Sequence, residues 1–551
     1  MRGAVGPVCV VDVGAAGLAL RRPARTLRRD AQPRLLHHQA VAGCDAGAGC
    51  RARHCAHKAC DRAFMNSAGL WMLLVLAVAI VTTGLPVWAL LIGVASLFSA
   101  IGLVMGTFDV AILAALGGRI VNLLEHDLLQ AMPLYVFIGV LLQRVAVADA
   151  LFESAARLFR RTGAGEPLAA LAVGALIAPM NGSVASSSAL LARLVAPRLH
   201  RLAAPNALSL VSVAATIGVV VPPSLVLLLL GDAMLRAHTE ASNLPGYVAG
   251  ERILNTQDVL LCALLPALAI LLAWAVVVWR KDRLVANASA DLPLPRSHVW
   301  LAAATTAIIV ALLGSVFSGR MFAVEAAATG ACLLVIATLV TRKLDAAQWQ
   351  SVLFDTLALS GALFALLVGA TTFSLVLRIF GTDRWLADMI LASPLPPMAT
   401  AGLVLLSVAL CAWVLDAFEM IFVVIPIVAP LLIMQLGDAR QAAVLLLLVL
   451  QMSFLLPPMG YAILMARATS HLPSVGNRDL LRSLAPFVAV QLIAIVTVFA
   501  APQVVHMLDR PNARLAADRP AGTQAPSDAD IVKQMEEMAQ QPEPSEDAPR
   551  K

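Results

Sequence analysis

Long apolar runs recur along the chain, separated by short segments that collect the arginines, lysines and prolines. A helix needs about 20 apolar residues to cross the hydrocarbon core of a bilayer. By that length the pattern predicts transmembrane helices near residues 68–83, 86–105, 128–145, 207–231, 258–279, 299–317, 323–341, 352–377, 441–466 and 484–506. Two further apolar stretches, 167–197 and 398–434, have the length of hairpins rather than of paired crossings.

Two of the runs carry a double proline. ATIGVVVPPSLVLLLLG (215–231) holds Pro222 and Pro223, and LQMSFLLPPMGYAILMA (450–466) holds Pro457 and Pro458. Proline removes a backbone donor and clashes with the carbonyl one turn back, so a helix breaks there. In lipid the freed groups must find partners inside the protein or in a wet cavity. Each pair therefore predicts a broken helix whose gap lines or holds something.

With 60% hydrophobic residues, 13% charged and a mean hydropathy of +0.83, the chain reads as an all-α polytopic membrane protein and not a soluble globule. The net charge of +6 comes from residues 1–64, where eleven Lys/Arg face four Asp/Glu. Runs there such as CRARHCAHKAC (Cys50–Cys60) fit no zinc-ligand spacing, and no apolar core with a cleavage site marks a signal peptide. Residues 1–64 thus read as a non-native or disordered extension, with translation starting at Met65, and no nucleic-acid partner is expected. The transmembrane domain covers 65–508, and the polar end 509–551 reads as a disordered tail. No nucleophile–base pairing, P-loop or dinucleotide motif is present, which argues against an enzyme and against an ATPase engine. His126, His200, His238, His298 and His471 are all expected in loops.

Short basic loops stay cytoplasmic. Placing 157–161, 198–201, 280–283, 342–343 and 478–482 inside gives an alternating path with both termini outside. The cytoplasmic flanks of 166–197 are then about 32 residues apart, short of the roughly 40 that two crossings need. The segment reads as a re-entrant hairpin turning at APMNGSVASSS (Ala178–Ser188).

The landmarks recur in order. Pro457 lies 235 residues after Pro222, Pro430 lies 233 after Pro197, and Gly369 of LVGATTF lies 230 after Gly139 of FIGVLLQ. The counterpart of the first hairpin tip is VLDAFEM (Val414–Met420). Repeat one covers about 128–232 and repeat two about 352–467, and the basic-loop path makes them inverted. Inverted repeats with paired broken helices and a midplane site mark secondary transporters.

The chemistry of the breaks follows. A half-helix ends in free carbonyls or free N–H groups, and neighbouring hydroxyls and amides complete an oxygen cage for a hard cation. Asn181, Ser183 and Ser186, with Gly182 at the tip, join Thr216 and the carbonyls around Gly218 in one candidate cage. Gln451 and Ser453, facing Asp416, form the second. Asp416 and Glu419 stand three residues apart at membrane depth, where an ionisable group is costly and points to function; a salt bridge to Arg378 or Arg193 is the alternative. Asp232 is expected as an interfacial cap behind the first break or as a contact for a binding protein, and Arg193 either attracts a carboxylate or snorkels to the cytoplasm.

These segments resemble the large membrane subunit of tripartite ATP-independent periplasmic (TRAP) transporters over roughly residues 66–508. TTGLPVWALLIGVA (Thr82–Ala95) resembles the family's opening hairpin, and ATIGVVVPPS, ending at Ser224, resembles its G-T-L-G-x-x-I-P-P-S. LDAFEMIFVVIPIVAP (Leu415–Pro430) and QMSFLLPPMGYA, which includes Gly460, are similar to the branch annotated for mannitol and chloroaromatic compounds. The chain departs from the pattern at MFAVEAA (Met321–Ala327), which keeps Glu325 but lacks Thr-Pro-Thr, and at Val449, Met452 and Leu456, which stand where polar residues are usual.

The resemblance implies an elevator-type importer of organic acids in the bacterial inner membrane, with sodium as coupling ion held by Asn181, Ser183, Thr216 and Gly218. It implies a periplasmic substrate-binding protein and a small four-helix membrane subunit as partners, and periplasmic termini. Both hairpins and both Pro-Pro helices would move against arms made of the spans before Arg157 and between Asp258 and Arg342. Two other readings stay open: a stand-alone carrier coupled to protons or exchange, and a transport-dead membrane scaffold.

Overall fold

The structure, a computed structural model, describes residues 68–508 except 81, 107–109, 126, 146, 182, 223, 244–253, 283–295, 343, 392, 414, 457–459 and 471. The extensions 1–64 and 509–551, His126 and His471, and the site candidates Gly182, Pro223, Pro457 and Pro458 lie outside the described residues, as does the side chain of Asn181.

Every regular element among the described residues is helical. That is what lipid demands of a chain whose backbone groups must pair within each segment. The first two are α1 (Ala68–Ile80) and α2 (Val87–Val104). α3 (Val110–Leu124) was not among the expected spans, because Gly117, Gly118 and Arg119 interrupt its apolar run. α4 (Asp127–Arg144) bends by 72° into α5 (Val147–Leu158), a short amphipathic helix.

The first expected hairpin folds as α6 (Gly165–Ile177), a tight 3-10 turn over Ala178–Asn181, and α7 (Val184–Leu194). The first broken helix is α8 (Ala204–Val220) and α9 (Leu225–Ser242), bent by 42°. Val221 is extended (φ −80°, ψ 118°), as a residue before proline must be. Its N–H makes the last helical bond of α8, to Ile217 at 3.0 Å, and Pro222 has no N–H to offer the Gly218 carbonyl.

Three long helices follow: α10 (Thr256–Asp282), α11 (Arg296–Phe317) and α12 (Ala323–Thr341). α13 (Ala346–Ile379) leads to α14 (Thr382–Leu391) and the second hairpin. That hairpin runs through α15 (Pro397–Ala412), the short α16 (Ala417–Glu419), a π-helical turn at Met420–Val424, and α17 (Ile425–Leu436). α18 (Ala439–Ser453) and α19 (Tyr461–Thr469) flank the second break, before α20 (Asn477–Ala500) and α21 (Gln503–His506). The order of long helix, short helix, hairpin and broken helix thus runs from α4 to α9 and again from α13 to α19.

Among the described residues, seven helices are long and apolar enough to cross a membrane, or up to nine when each bent pair counts as one span. The core lies along α8 and α18, where all residues of 207–220 and of 441–451 are buried. Lipid supplies no hydrophobic drive between helices, so close approach through small residues has to hold them. Gly174 of α6 illustrates it: a Cβ there would come 2.6 Å from the Ala214 carbonyl oxygen of α8.

Helices also reach past their apolar runs into polar sequence, which corrects two expectations. His238 lies inside α9 and is buried, and His298 lies in α11 with its Nδ1 2.9 Å from Glu153. Asp232 is likewise within α9, not a cap, and its carboxylate meets the Arg236 guanidinium one turn on at 3.1 Å.

Candidate functional site

The first hairpin tip and the cut end of α8 press directly on each other. A Cβ on Gly218 would stand 2.5 Å from the Ala178 carbonyl carbon and 2.6 Å from its oxygen. Only glycine lets the last turn of α8 reach the tip backbone. The Ala178 carbonyl in turn accepts from the Ser187 hydroxyl at 3.2 Å, which closes the tip on itself. Thr216, one turn from the break, is fully buried, and its hydroxyl donates to Val213 at 2.9 Å, leaving oxygen lone pairs free to accept.

Gln451 joins this cluster from the other broken helix. Its amide donates to the Thr216 carbonyl at 3.4 Å, and its oxygen accepts from Gln491 of α20 at 2.8 Å. Sequence reasoning set Gln451 and Ser453 opposite Asp416; the rotation of α18 instead turns Gln451 to α8. Ser453 donates to Val449 at 2.9 Å and to Ala409 of α15 at 3.3 Å, so it ties α18 to the second hairpin. Thr216, Gly218 and Gln451 therefore belong to one cluster with the first tip. Ser183 is the N-cap residue of α7 at the edge of that tip. Ser186 accepts from Gln143 of α4 at 2.7 Å, which places it at the contact with α4. Buried Ser224 opens α9 across the break, beside buried Pro222.

The second tip is built from carboxylates. Asp416 is the N-cap residue of α16, and its backbone N–H donates to the Glu419 carboxylate at 3.1 Å. Among the described residues the buried Asp416 Oδ1 has no hydrogen-bond partner. Neither arginine proposed from the sequence neutralises it: Arg378 pairs with Glu240, and Arg193 is exposed. Trp413, just before the tip, donates its indole N–H at 3.0 Å to the Leu456 carbonyl, which also accepts from the Gly460 backbone N–H at 2.8 Å across the second break. Gly460, buried, caps α19 on the far side. The first hairpin reaches that helix too, through Ser188 donating to Ala462 at 2.6 Å.

Four contributing residues escaped the sequence reading. Gln143, Trp413 and Ser188 sit in or beside quoted motifs, so proximity to a motif was an available signal. Gln491 lies in an ordinary apolar helix and gives none. The donors at the first tip are carbonyls and neutral side chains, and among the described residues no group of three His, Cys, Asp or Glu could hold a metal ion. Such an all-oxygen, uncharged set suits a monovalent hard cation, not a transition metal. A separate apolar cavity of about 200 Å³ separates the α6 and Pro222 side of this assembly from Tyr135 of α4, Ile309 of α11 and Gly330 of α12.

The profile of a family described as "Tripartite ATP-independent periplasmic transporter, DctM component" matches residues 73–504. The C4-dicarboxylate TRAP transporter large permease protein DctM of Pseudomonas aeruginosa is 24% identical over 391 residues, covering 69% of this chain and 86% of that protein. The crystal structure of the Alcanivorax borkumensis YdaH transporter aligns with a TM-score of 0.49 at 13% identity, over 72% of this chain and 89% of that one, a likeness too slight to bear on the fold.

Proposed function

The chain belongs to the DctM component family of tripartite ATP-independent periplasmic transporters, and from that premise we propose that it is the large permease subunit of a sodium-driven importer of small organic acids. It is a multi-pass membrane transport subunit and not an enzyme. In this proposal it sits in the bacterial inner membrane with periplasmic termini, braced by a small four-helix subunit and supplied by a periplasmic binding protein. C4-dicarboxylates, named for the Pseudomonas relative, are the first substrate class to test. The motifs LDAFEM and QMSFLLPPMGYA favour the mannitol and chloroaromatic branch and make chlorinated aromatic acids the second.

The observation that carries the reading is the meeting of the first tip, the cut end of α8 and Gln451 in one buried cluster. A sodium ion bound to the Gly218-side carbonyls, Thr216 and the tip oxygens would lock the tip onto α8. The N-terminus of α9 across the break then presents free N–H groups and a positive dipole end to an anion. Cation and carboxylate so bound neutralise each other, and the loaded assembly of both hairpins and both broken helices crosses as an elevator, the two repeats being inverted copies.

The carboxylates Asp416 and Glu419 favour a second reading, in which this tip carries a proton and the chain works alone. Reconstitution separates the two. The chain is placed in liposomes with its small subunit and binding protein, and uptake of succinate and of 4-chlorobenzoate is measured with and without a sodium gradient. Uptake that requires both sodium and the binding protein supports the main reading. Uptake driven by a pH gradient without either partner replaces it with the second.

A further inference from the structure

A cleft of about 560 Å³ opens between α3, α9, α13 and the return limb of the second hairpin. Its charged lining is unbalanced. Arg119, Arg236 and Arg378 face Asp232 and Glu240, so three guanidinium groups meet two carboxylates. Each carboxylate is already engaged: Asp232 by Arg236 at 3.1 Å, and Glu240 by Arg378. Arg119 takes part in no ion pair or hydrogen bond among the described residues.

A carboxylate consumes at most two of the five donors on a guanidinium. The side chains of Arg236 and Arg378 remain 46% and 36% exposed, so each keeps N–H groups open to the cleft. The volume lies within the usual range for small-molecule sites. Part of the wall is the π-helical turn Met420–Val424, which places Ile421 and Phe422 on the cleft; such turns concentrate at functional sites. The same turn follows directly on Asp416 and Glu419, so what enters the cleft stands beside the second tip.

We propose that this cleft binds a small organic carboxylate through Arg119, with Arg236 and Arg378 as supporting donors, before the substrate reaches the hairpin tips. The ligand class rests on reading the chain as an organic-acid permease; the site itself rests on the excess guanidinium and the cleft. Arg119 makes a charge-assisted pair of matching planar geometry with the carboxylate. Glu240 competes for Arg378 and so holds affinity down, which suits a site that must release what it captures.

The test uses the full chain in lipid nanodiscs, titrated calorimetrically with succinate and with the neutral isostere succinamide at fixed low ionic strength. Succinate binds and succinamide does not. Arg119→Gln weakens succinate about tenfold, the scale of one lost charge-assisted hydrogen bond. Arg119→Lys stays between wild type and Arg119→Gln. Glu240→Gln, which releases Arg378, shifts affinity the opposite way and tightens succinate severalfold. Opposite signs from two variants cannot come from a common folding defect. Absence of succinate binding to wild type at 10 mM, an unchanged affinity in Arg119→Gln, or weakening by both variants overturns the proposal. Uptake into liposomes with the partner subunits is measured alongside. Normal uptake with binding indifferent to Arg119 removes the cleft alone, whereas absent uptake with the charge pattern intact removes the transport reading and leaves the cleft.

Discussion

At Gly218 a single hydrogen atom decides whether the first hairpin tip can reach the broken helix. Gly218→Ala places a Cβ 2.5 Å from the backbone of Ala178, where no flexible side chain can give way. Overpacking of that kind costs about 1–3 kcal/mol. The variant is expected to inserted normally, melt lower and take up substrate at under a tenth of the wild-type rate, all readable from one preparation by thermal unfolding and uptake. Gln451 acts differently, since it joins groups rather than making room. Gln451→Leu removes one partner each from the Thr216 carbonyl and from the Gln491 amide, which keeps its bond to the Leu448 carbonyl at 3.1 Å, at about 0.5–1.5 kcal/mol per lost hydrogen bond. The expected signature is a sodium activation curve displaced more than tenfold to higher concentration. A curve that stays in place at normal maximal rate would detach Gln451 from the proposed cation site.

Among the elements, the broken helices were legible from sequence because proline acts locally: Pro222 denies Gly218 its donor whatever surrounds it. The hairpins were legible for a similar reason, since chain length between flanks and a polar centre are both local quantities. The facing of α18 was not. Helix rotation is set by packing over its whole length, and a sequence in which all of 441–451 is buried carries no amphipathic stripe to orient it. Gln451 was therefore assigned to the wrong tip, and Gln491 to none. α3 and α5 were passed over because one is interrupted by Gly-Gly-Arg and the other is amphipathic. The break itself can be tested in a way that separates function from fold. Pro222→Ala restores an N–H able to bond the Gly218 carbonyl and lengthens α8. Stability is expected to hold or rise while uptake falls at least tenfold; loss of both together would mean that the proline serves folding and not the proposed cation site.

For the whole molecule the question is which parts move. The apolar cavity of about 200 Å³ lies where α6 and the α8–α9 break face α4, α11 and α12. Its lining includes Ala175, Leu176 and Pro222 on one side and Ile309, Ala326 and Gly330 on the other. Such a loosely filled, apolar seam has few polar bonds to break when its sides slide. The polar bonds from the first hairpin and its end to α4 and α5 are Gln143 to Ser186 at 2.7 Å and Arg198 to Asp149 at 2.7 Å and Glu153 at 3.7 Å. In lipid, where separated apolar faces are covered by acyl chains at little cost, a seam of this kind suits a moving boundary better than the continuous packing between α8 and α18. The proposed elevator requires Ala175 and Ala326 to part during each cycle. In a cysteine-free background, Ala175→Cys with Ala326→Cys, joined by a short bifunctional thiosulfonate, is therefore expected to abolish uptake and to regain it on reduction. Each single substitution should transport normally after the same treatment. Full uptake by a quantitatively cross-linked sample would fix α6 to α12 throughout the cycle and place the moving boundary elsewhere.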